Sequence, residues 1–498
     1  MRSKILYFIL VVNILCSICT TSYAGEWAAS TVGTHADYSA FHQSMAIDGN
    51  GKLHVAYYHL RSNELKYATN ASGSWQTIPI EENGRKASIA VDSSNNIHII
   101  YFSKAAESGL KYATNSSGLW NIYTADSGVD VDFTYTSSTE IAIDTAGNVH
   151  ACYYHAASIP LKYASNISGS WKSEIVDING TSGDIAVDSA NNIYVVYSNK
   201  IGKLMSKKGS SGNWDSIELN LSGAAATIAI DKHENLHIAY IYNHDLYYAI
   251  ESSGTWQSQI IDTQSIEPAI ALDSFNNVHI CYSGTNSTKY ATNSGGVWLL
   301  KTIDPYDGLP DYFSKTYYRL GQFGTNNSIS IDSSGSAHIT YPAWLDMTQN
   351  ILRYATNKAP IFDLSGEWKF STTENWAVCD PGENSNQTLT IEQTGNSVKA
   401  TNKDMAENPV IFTGKVAGSI YELVAEFAED KGNTLIIVSL MASSNSLGEG
   451  PQFWLYRESP SYCYGGSSIE YQRSSSGSGD GGSGGGGGGG CFISTMKE

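Results

Sequence analysis

Positive charge and recognisable reactive motifs are scarce in this sequence of 498 residues. It contains 30 Lys and Arg against 48 Asp and Glu, which gives a formal charge of −18. Such a surface repels phosphate backbones, so nucleic acid is not an expected partner. Neither a phosphate-binding loop nor a Cys-x-x-Cys pair occurs after residue 24. We therefore expect no cofactor and no metal, and a binding protein rather than an enzyme.

Long apolar runs are confined to the start of the chain. Arg2 and Lys4 precede an apolar stretch, and Ser22 and Ala24 supply small residues for cleavage, as in a secretory signal. No later stretch reaches the roughly 18 apolar residues of a membrane-spanning helix. Residues 1–24 are predicted to be a signal peptide, with a membrane anchor as the alternative. The protein is expected to be exported to the periplasm, the outer surface or the medium.

Cysteine is also infrequent. Two of the seven cysteines fall in the predicted signal peptide. Cys152 and Cys281 occupy one repeat position, so we interpret them as small buried fillers. Cys379 and Cys463 lie together in the C-terminal part and are the plausible disulfide, which an exported context permits. Cys491 is then left unpaired.

Seven copies of a 15-residue pattern dominate the chain, starting at Ser44, Ser88, Glu140, Asp184, Thr227, Ala269 and Ser328. Each copy holds an apolar strand, a tight turn that begins with Asp, and a second alternating strand. A third strand such as LKYATN and a fourth that begins with Gly-x-Trp follow in most copies. Four short strands per unit of about 45 residues are typical of propeller blades, and a solenoid is the alternative.

The seventh copy lacks its own fourth strand. Its third-strand Tyr354 is not followed by Trp at the usual distance, whereas an unassigned Gly-x-Trp ends at Trp27. We predict that the N-terminal strand around Trp27 completes the seventh blade and removes an exposed sheet edge. The predicted fold is therefore all-β, a seven-bladed β-propeller over residues 25–360.

Connection lengths distinguish the two faces of this ring. The turn Asp and the next His or Tyr are six positions apart in every copy, so the first hairpins are uniform and form a constant face. The connections before the first strand and after the second strand differ in length and share the opposite, variable face, where binding residues are expected. The candidate ligand-binding residues on this variable face are Asp132, Phe133, Asp311, Tyr312, Phe313, Tyr318, Arg319, Trp344 and Asp346.

Two interpretations of the polar and aromatic residues follow. Aromatic faces beside carboxylates suit sugars or peptides, although such aromatics can also pack their own loops. Six His residues occupy the repeated second-strand position and are spread around the ring. We predict that these His residues bond the turn Asp and are not metal ligands.

The repeats over residues 25–360 resemble the sialidase-like and fucose-lectin-like propellers of secreted bacterial proteins. A sialidase would imply an arginine triad, for which Arg61, Arg85 and Arg319 are candidates because all three fall in connections of the variable face. The Trp-containing Asp box of sialidases is absent from the turns.

The pattern changes after the repeats. Segments such as LSGEWKFS and TLTIEQTGNSVKAT alternate between apolar and polar residues. Residues 361–473 resemble a small lipocalin or avidin type up-and-down barrel. Residues 474–498 form a Gly/Ser-rich tail, and its Gly run followed by Cys-Phe-Ile resembles a tail box of exported bacterial proteins.

The leading hypothesis is an exported, non-enzymatic binding or adhesion protein that recognises a glycan or a surface protein through the variable face. A glycoside hydrolase of sialidase type and a purely structural envelope protein are the alternatives.

Overall fold

The computed structural model describes residues 27–32, 40–104, 108–127, 129, 137–155, 160–210, 213–252, 255–284, 287–303, 327–344 and 350–358, and the backbone of nine strands between 366 and 473. All regular elements among these residues are β-strands, which confirms the all-β prediction. No helix of the described residues is long and apolar enough to cross a membrane.

Seven four-stranded antiparallel sheets form the blades of a propeller. Their strands, from first to fourth, are as follows: blade one β2 (Ala40–Ile47), β3 (Leu53–His59), β4 (Glu64–Thr69), β5 (Gln76–Glu82); blade two β6 (Gly84–Val91), β7 (Ile97–Ser103), β8 (Gly109–Thr114), β9 (Asn121–Asp126); blade three β10 (Ser138–Ile143), β11 (Val149–Tyr154), β12 (Leu161–Ser165), β13 (Lys172–Asp177); blade four β14 (Gly180–Val187), β15 (Ile193–Asn199), β16 (Leu204–Ser210), β17 (Asn213–Ile217); blade five β18 (Ala224–Ile230), β19 (Leu236–Tyr242), β20 (Asp245–Ser252), β21 (Thr255–Asp262); blade six β22 (Ile266–Leu272), β23 (Val278–Ser283), β24 (Thr288–Thr292), β25 (Leu299–Thr302); and blade seven β26 (Ser328–Ile331), β27 (Ala337–Trp344), β28 (Asn350–Thr356), β1 (Ala28–Thr31).

The first strands of the blades form the inner wall of the ring. Each first strand lies beside the first strand of the next blade, from β2 through β6, β10, β14, β18 and β22 to β26, and β26 lies beside β2 again. Seven radial sheets arranged in this way surround a central channel.

The N-terminal strand closes the ring as predicted. β1 pairs antiparallel with β28, so that Ala28 lies opposite Thr356 and Ser30 opposite Tyr354. The ring centroids of Trp27 and Tyr290, on blade six, are 4.9 Å apart in an edge arrangement. This contact between the fourth-strand Trp and the third-strand Tyr of the preceding blade recurs around the propeller.

Hydrophobic clusters between adjacent blades make up the core. The second-strand Tyr of each blade is buried there, as at Tyr101, Tyr153 and Tyr197, which expose none of their surface. Cys152 and Cys281 are also fully buried and unbridged. Both thiols therefore act as the small fillers that their repeat position predicted.

A polar clasp holds the first hairpin on the constant face. Asp144 Oδ1 accepts the backbone N–H groups of Ala146 and Asn148, at 2.9 and 2.8 Å, and closes the turn. Asp144 Oδ2 lies 3.4 Å from His150 Nε2, and His150 Nδ1 lies 2.6 Å from the Tyr163 hydroxyl. The same His and turn-Asp pair recurs in six blades. The predicted structural role of these His residues is confirmed.

Nine antiparallel strands follow the propeller: β29 (Gly366–Ala377), β30 (Asn386–Thr394), β31 (Ser397–Asn402), β32 (Ile411–Ala417), β33 (Ile420–Glu429), β34 (Gly432–Ala442), β35 (Leu447–Glu449), β36 (Gln452–Glu458) and β37 (Ser461–Arg473). β29 pairs with β30 and with β37. The lipocalin-like barrel stays a prediction, because almost all of these side chains lie outside the description.

Three further predictions also lie outside the described residues. They are the Cys379–Cys463 disulfide, the signal peptide at residues 1–24 and the tail at residues 474–498. Only the backbone of Cys463, within β37, is described.

Candidate functional site

The predicted ligand-binding residues lie almost entirely in connections outside the description. These are Asp132, Phe133, Asp311, Tyr312, Phe313, Tyr318, Arg319 and Asp346. Trp344 is the last residue of β27, where its backbone pairs with Asn350, and its side chain is not described. All nine assignments stay predictions.

The arginine candidates are described in part. Arg85 Nη2 donates to Asn63 Oδ1 at 3.1 Å, and the guanidinium carbon lies 4.4 Å from the centroid of the Tyr58 ring. Arg61 is exposed in the connection after β3, and Arg319 is outside the description. Arg85 is therefore held between blades one and two.

At the ends of two fourth strands, beside the variable face, an Asp carboxylate binds a Tyr and a Lys of the next blade. The Tyr153 hydroxyl donates to Asp126 Oδ2 at 2.5 Å, and Lys162 forms an ion pair with the same carboxylate. Asp262 is bound in the same way by Tyr282 at 2.9 Å and by Lys289 at 2.8 Å. In both cases the acid ends the fourth strand of one blade, and its partners belong to the next blade. These bridges fix adjacent blades rigidly where the variable connections begin.

The first strands are irregular near the variable face. Their pairing registers shift in five blades, for example between Phe41 and Ser44 and between Arg85 and Ser88. In four of these five blades a displaced residue has a positive φ angle, namely His42 (53°), Lys86 (55°), Ala225 (49°) and Glu267 (52°). Non-glycine residues rarely adopt this conformation, and such strain tends to cluster at functional sites.

We define the channel mouth as the residues that stand six positions before each turn Asp. Those described are His42, Lys86, Ser138, Ser182, Ala225 and Glu267. Blades one, two and six contribute titratable side chains, whereas blades three, four and five contribute small ones. Because identical repeats would need only one residue type here, this asymmetry is not a requirement of the scaffold.

Lys86 lies close enough to Glu267 for their charges to interact. Burial lowers the pKa of Lys86 to about 8, against the opposing effect of the Glu267 charge, and the Arg85 charge lowers it further. Blades two and six are separated by at least two blades in either direction around the ring. Both residues belong to first strands, which form the inner wall of the ring, so their charges interact across the channel.

One layer deeper, the residues four positions before each turn Asp connect the first strands. Ser44 Oγ accepts the backbone N–H of Ile89 at 3.2 Å, and Asp184 Oδ2 accepts that of Ile228 at 2.8 Å. These bonds satisfy N–H groups on the inner edge of the sheets, which would otherwise be unpaired.

Two neighbouring carboxyl groups belong to this deeper layer. Burial, followed by the negative charge of Asp184, raises the pKa of Glu140 well above its usual range, while Ser88 Oγ donates to Glu140 Oε2 at 3.1 Å. Burial also raises the pKa of Asp184, against the effect of the bonds that it accepts from Ile228, Thr227 and Ile185. A carboxyl pair of this kind can hold and exchange a proton.

The sequence carried a signal for this deeper layer. Glu140 and Asp184 open two of the seven repeats, where the other five copies have Ser, Thr or Ala. His42, Lys86 and Glu267 lie just before the repeated pattern, between it and the connections of unequal length, so neither feature of the sequence marks them.

One motif that sequence inspection overlooked is His233-Glu234-Asn235-Leu236-His237, which matches His-Glu-x-x-His. Zinc binding by this motif needs a helix that brings both imidazoles to one face. Here His233, Glu234 and Asn235 belong to the turn before β19, and His237 lies within that strand. His233 is exposed, and His237 is buried against Asp231 and Tyr248. Within the described part of the chain, no group of His, Cys, Asp and Glu is arranged to hold a metal ion.

No family model matches the sequence, and no curated protein matches it. Solved structures to which this chain shows similarity include a catalytically inactive virginiamycin B lyase from Staphylococcus aureus with quinupristin (12% identity, 66% of this chain, 99% of that chain, TM-score 0.46). They also include AofleA from Arthrobotrys oligospora (15%, 56%, 90%, 0.41) and the fucose-specific lectin from Aleuria aurantia (14%, 58%, 97%, 0.38). All three TM-scores are below 0.5, so the activities that these protein names state are attributed to those proteins and not to this chain.

Proposed function

We propose that this protein is an exported, non-enzymatic binding protein that recognises a glycan through the variable face and the channel mouth. The observation that carries the proposal is the contrast between the two faces. On the constant face, the turn Asp and His residues bond each other in the same way from blade to blade. On the variable side, equivalent positions hold unlike side chains such as His42, Lys86 and Glu267 on displaced backbone.

A glycan fits the chemistry of this side. Sugars present hydroxyl groups to charged and polar side chains and CH faces to aromatic rings. The channel mouth supplies the polar groups, and the predicted loop residues Tyr312, Phe313 and Trp344 supply the rings. Export is supported by the signal-like pattern of residues 1–24, and a surface protein is the other partner that aromatic and acidic loops suit.

The carboxyl pair favours a second candidate function, glycoside hydrolysis. Such enzymes use two carboxyl groups, one of which keeps its proton through a raised pKa. Glu140 and Asp184 provide neighbouring carboxyl groups with raised pKa values.

Binding of the full chain to an array of glycans and surface proteins tests the proposal. We expect the wild type to bind a defined set of glycans, and the variant Tyr312→Ala, Phe313→Ala, Trp344→Ala to lose this binding by about tenfold or more, because each aromatic contributes about 1 kcal/mol. The bound glycans should be recovered uncleaved after incubation with the protein.

The matched control carries Leu119→Ala, Phe275→Ala and Val297→Ala on turns of the constant face. These side chains are 76%, 79% and 74% exposed. The control should bind as the wild type does. Equal losses in both variants would refute the assignment of the face, and cleavage that is lost on Glu140→Gln would establish the hydrolase instead.

A further inference from the structure

Three basic side chains converge at one side of the channel mouth. His42 comes from β2 of blade one, and Arg85 and Lys86 come from β6 of blade two. Burial lowers the pKa of His42 well below its usual value, and the charges of Lys86 and Arg85 lower it further. The Lys86 and Arg85 cations are therefore close enough to His42 to disfavour its protonation, in a protein whose formal charge is −18.

These basic groups differ in the hydrogen bonds and ion pairs that their side chains make with the rest of the protein. The Arg85 guanidinium bonds Asn63 and lies over Tyr58. The Lys86 ammonium has no hydrogen bond or ion pair with any residue that the structure describes, although protein surrounds most of it. A buried ammonium without a close partner is costly, so an anionic ligand would relieve this cost.

Blades three, four and five contribute small side chains to the mouth, which leaves room for the rest of such a ligand. Ser138, Ser182 and Ala225 are small, and Ser182 and Ala225 are exposed. The serine hydroxyls can donate to and accept from sugar hydroxyls.

We infer that the channel mouth binds an acidic sugar of the uronic acid type, with its carboxylate beside Lys86 and His42 and its ring toward Ser138 and Ser182. The inference rests on the proposed glycan-binding function and names its ligand class. A carboxylate accepts charge-assisted hydrogen bonds from an ammonium, and these are stronger than neutral ones.

Binding of this kind depends on pH. The groups that face Lys86 are Arg85 on its own strand, His42 on β2 and Glu267 on β22, with Glu140 and Asp184 one layer deeper. Because the pKa of Lys86 is about 8, its ammonium is lost above that pH. The preference for a uronic acid over the neutral sugar should therefore weaken as pH rises through about 8.

Trace acetylation of the full-length protein tests the inference at the site itself. The acetylation rate of each lysine is measured by mass spectrometry in sodium glucuronate, in glucose with sodium chloride, and in sodium chloride alone, at equal ionic strength. We expect glucuronate to slow acetylation of Lys86 by about threefold or more at saturating concentration. Glucose should have no such effect, and the exposed Lys301 should react equally in all three solutions.

Each outcome decides the matter. Protection of Lys86 by glucuronate alone supports the carboxylate site. Equal protection by glucose overturns the carboxylate assignment and leaves glycan binding intact, and no protection by either sugar overturns the site. As a second measurement, Lys86→Met should abolish the preference for methyl glucuronide over methyl glucoside, whereas Lys86→Arg and the control Lys301→Met should keep it. Failure of glycan binding altogether would show separately on the array.

Discussion

Blade four shows how one residue position depends on another. Tyr194 replaces the repeated His, and Ser206 replaces the third-strand Tyr that bonds this His in the other blades. The larger Tyr194 reaches Asp188 Oδ2 directly at 3.2 Å, and the small Ser206 leaves room beside it. The hairpin clasp is therefore conserved in chemistry although both residues differ.

At the same scale, the sequence predicted the His and turn-Asp bonds because their spacing is invariant. It did not reveal Glu140 and Asp184 as a pair, because the proximity of first strands in neighbouring blades depends on the closed ring. Positive φ angles at His42 and Lys86 were also not predictable, since neither residue type favours that conformation.

Replacing Glu140 with Gln removes the negative charge of this side chain and keeps its size. The folded-state pKa of Glu140 is raised above its value in the unfolded chain, so its contribution to stability is full below the unfolded pKa and is lost as pH rises through the folded pKa. Glu140→Gln should therefore raise the free energy of unfolding by about 1 kcal/mol or more at about pH 7, and have little effect near pH 4. Denaturant unfolding at both pH values measures this, with the exposed Glu82→Gln as the control. Stabilisation of Glu140→Gln that is independent of pH would contradict the account.

At the scale of the elements, ring closure by β1 was predictable and the displaced first strands were not. The missing Trp after Tyr354 and the surplus Trp27 are visible in the sequence, and a closed sheet needs no exposed edge. The register shifts recur at the same place in five blades, and none of the displaced positions holds Gly or Asn, so the sequence does not mark them. Eight of the nine predicted ligand-binding residues fall in connections that no repeat constrains, and the ninth, Trp344, ends β27.

A cross-link between β1 and β28 tests the closure. Ala29 and Ala355 are directly opposite in the antiparallel pair, so Ala29→Cys with Ala355→Cys should form a disulfide under oxidising conditions. Because the bridge closes most of the propeller into one loop, it should raise stability by up to about 5 kcal/mol. Peptide mapping and thermal unfolding measure both effects. The control pair Ala29→Cys with Ala113→Cys, on blade two, should remain unbridged, and equal bridging of both pairs would argue against the closure.

At the scale of the whole molecule, the ring separates a uniform face from a variable one. Every turn Asp faces the constant side, while the channel mouth and the unequal connections share the other side. The formal charge of −18 makes the basic corner at Lys86 a local exception, which favours entry of an anionic group there.

Amide hydrogen exchange of the full-length protein, with and without its strongest glycan from the array, tests the face assignment most directly. We expect slower exchange with the glycan in segments of the variable side, namely 33–43, 84–88, 128–138 and 304–327. Exchange at the turns that begin at Asp48, Asp92 and Asp144 should not change. Protection confined to those turns, with the variable segments unaffected, would contradict the proposal that this propeller binds its ligand through the variable face.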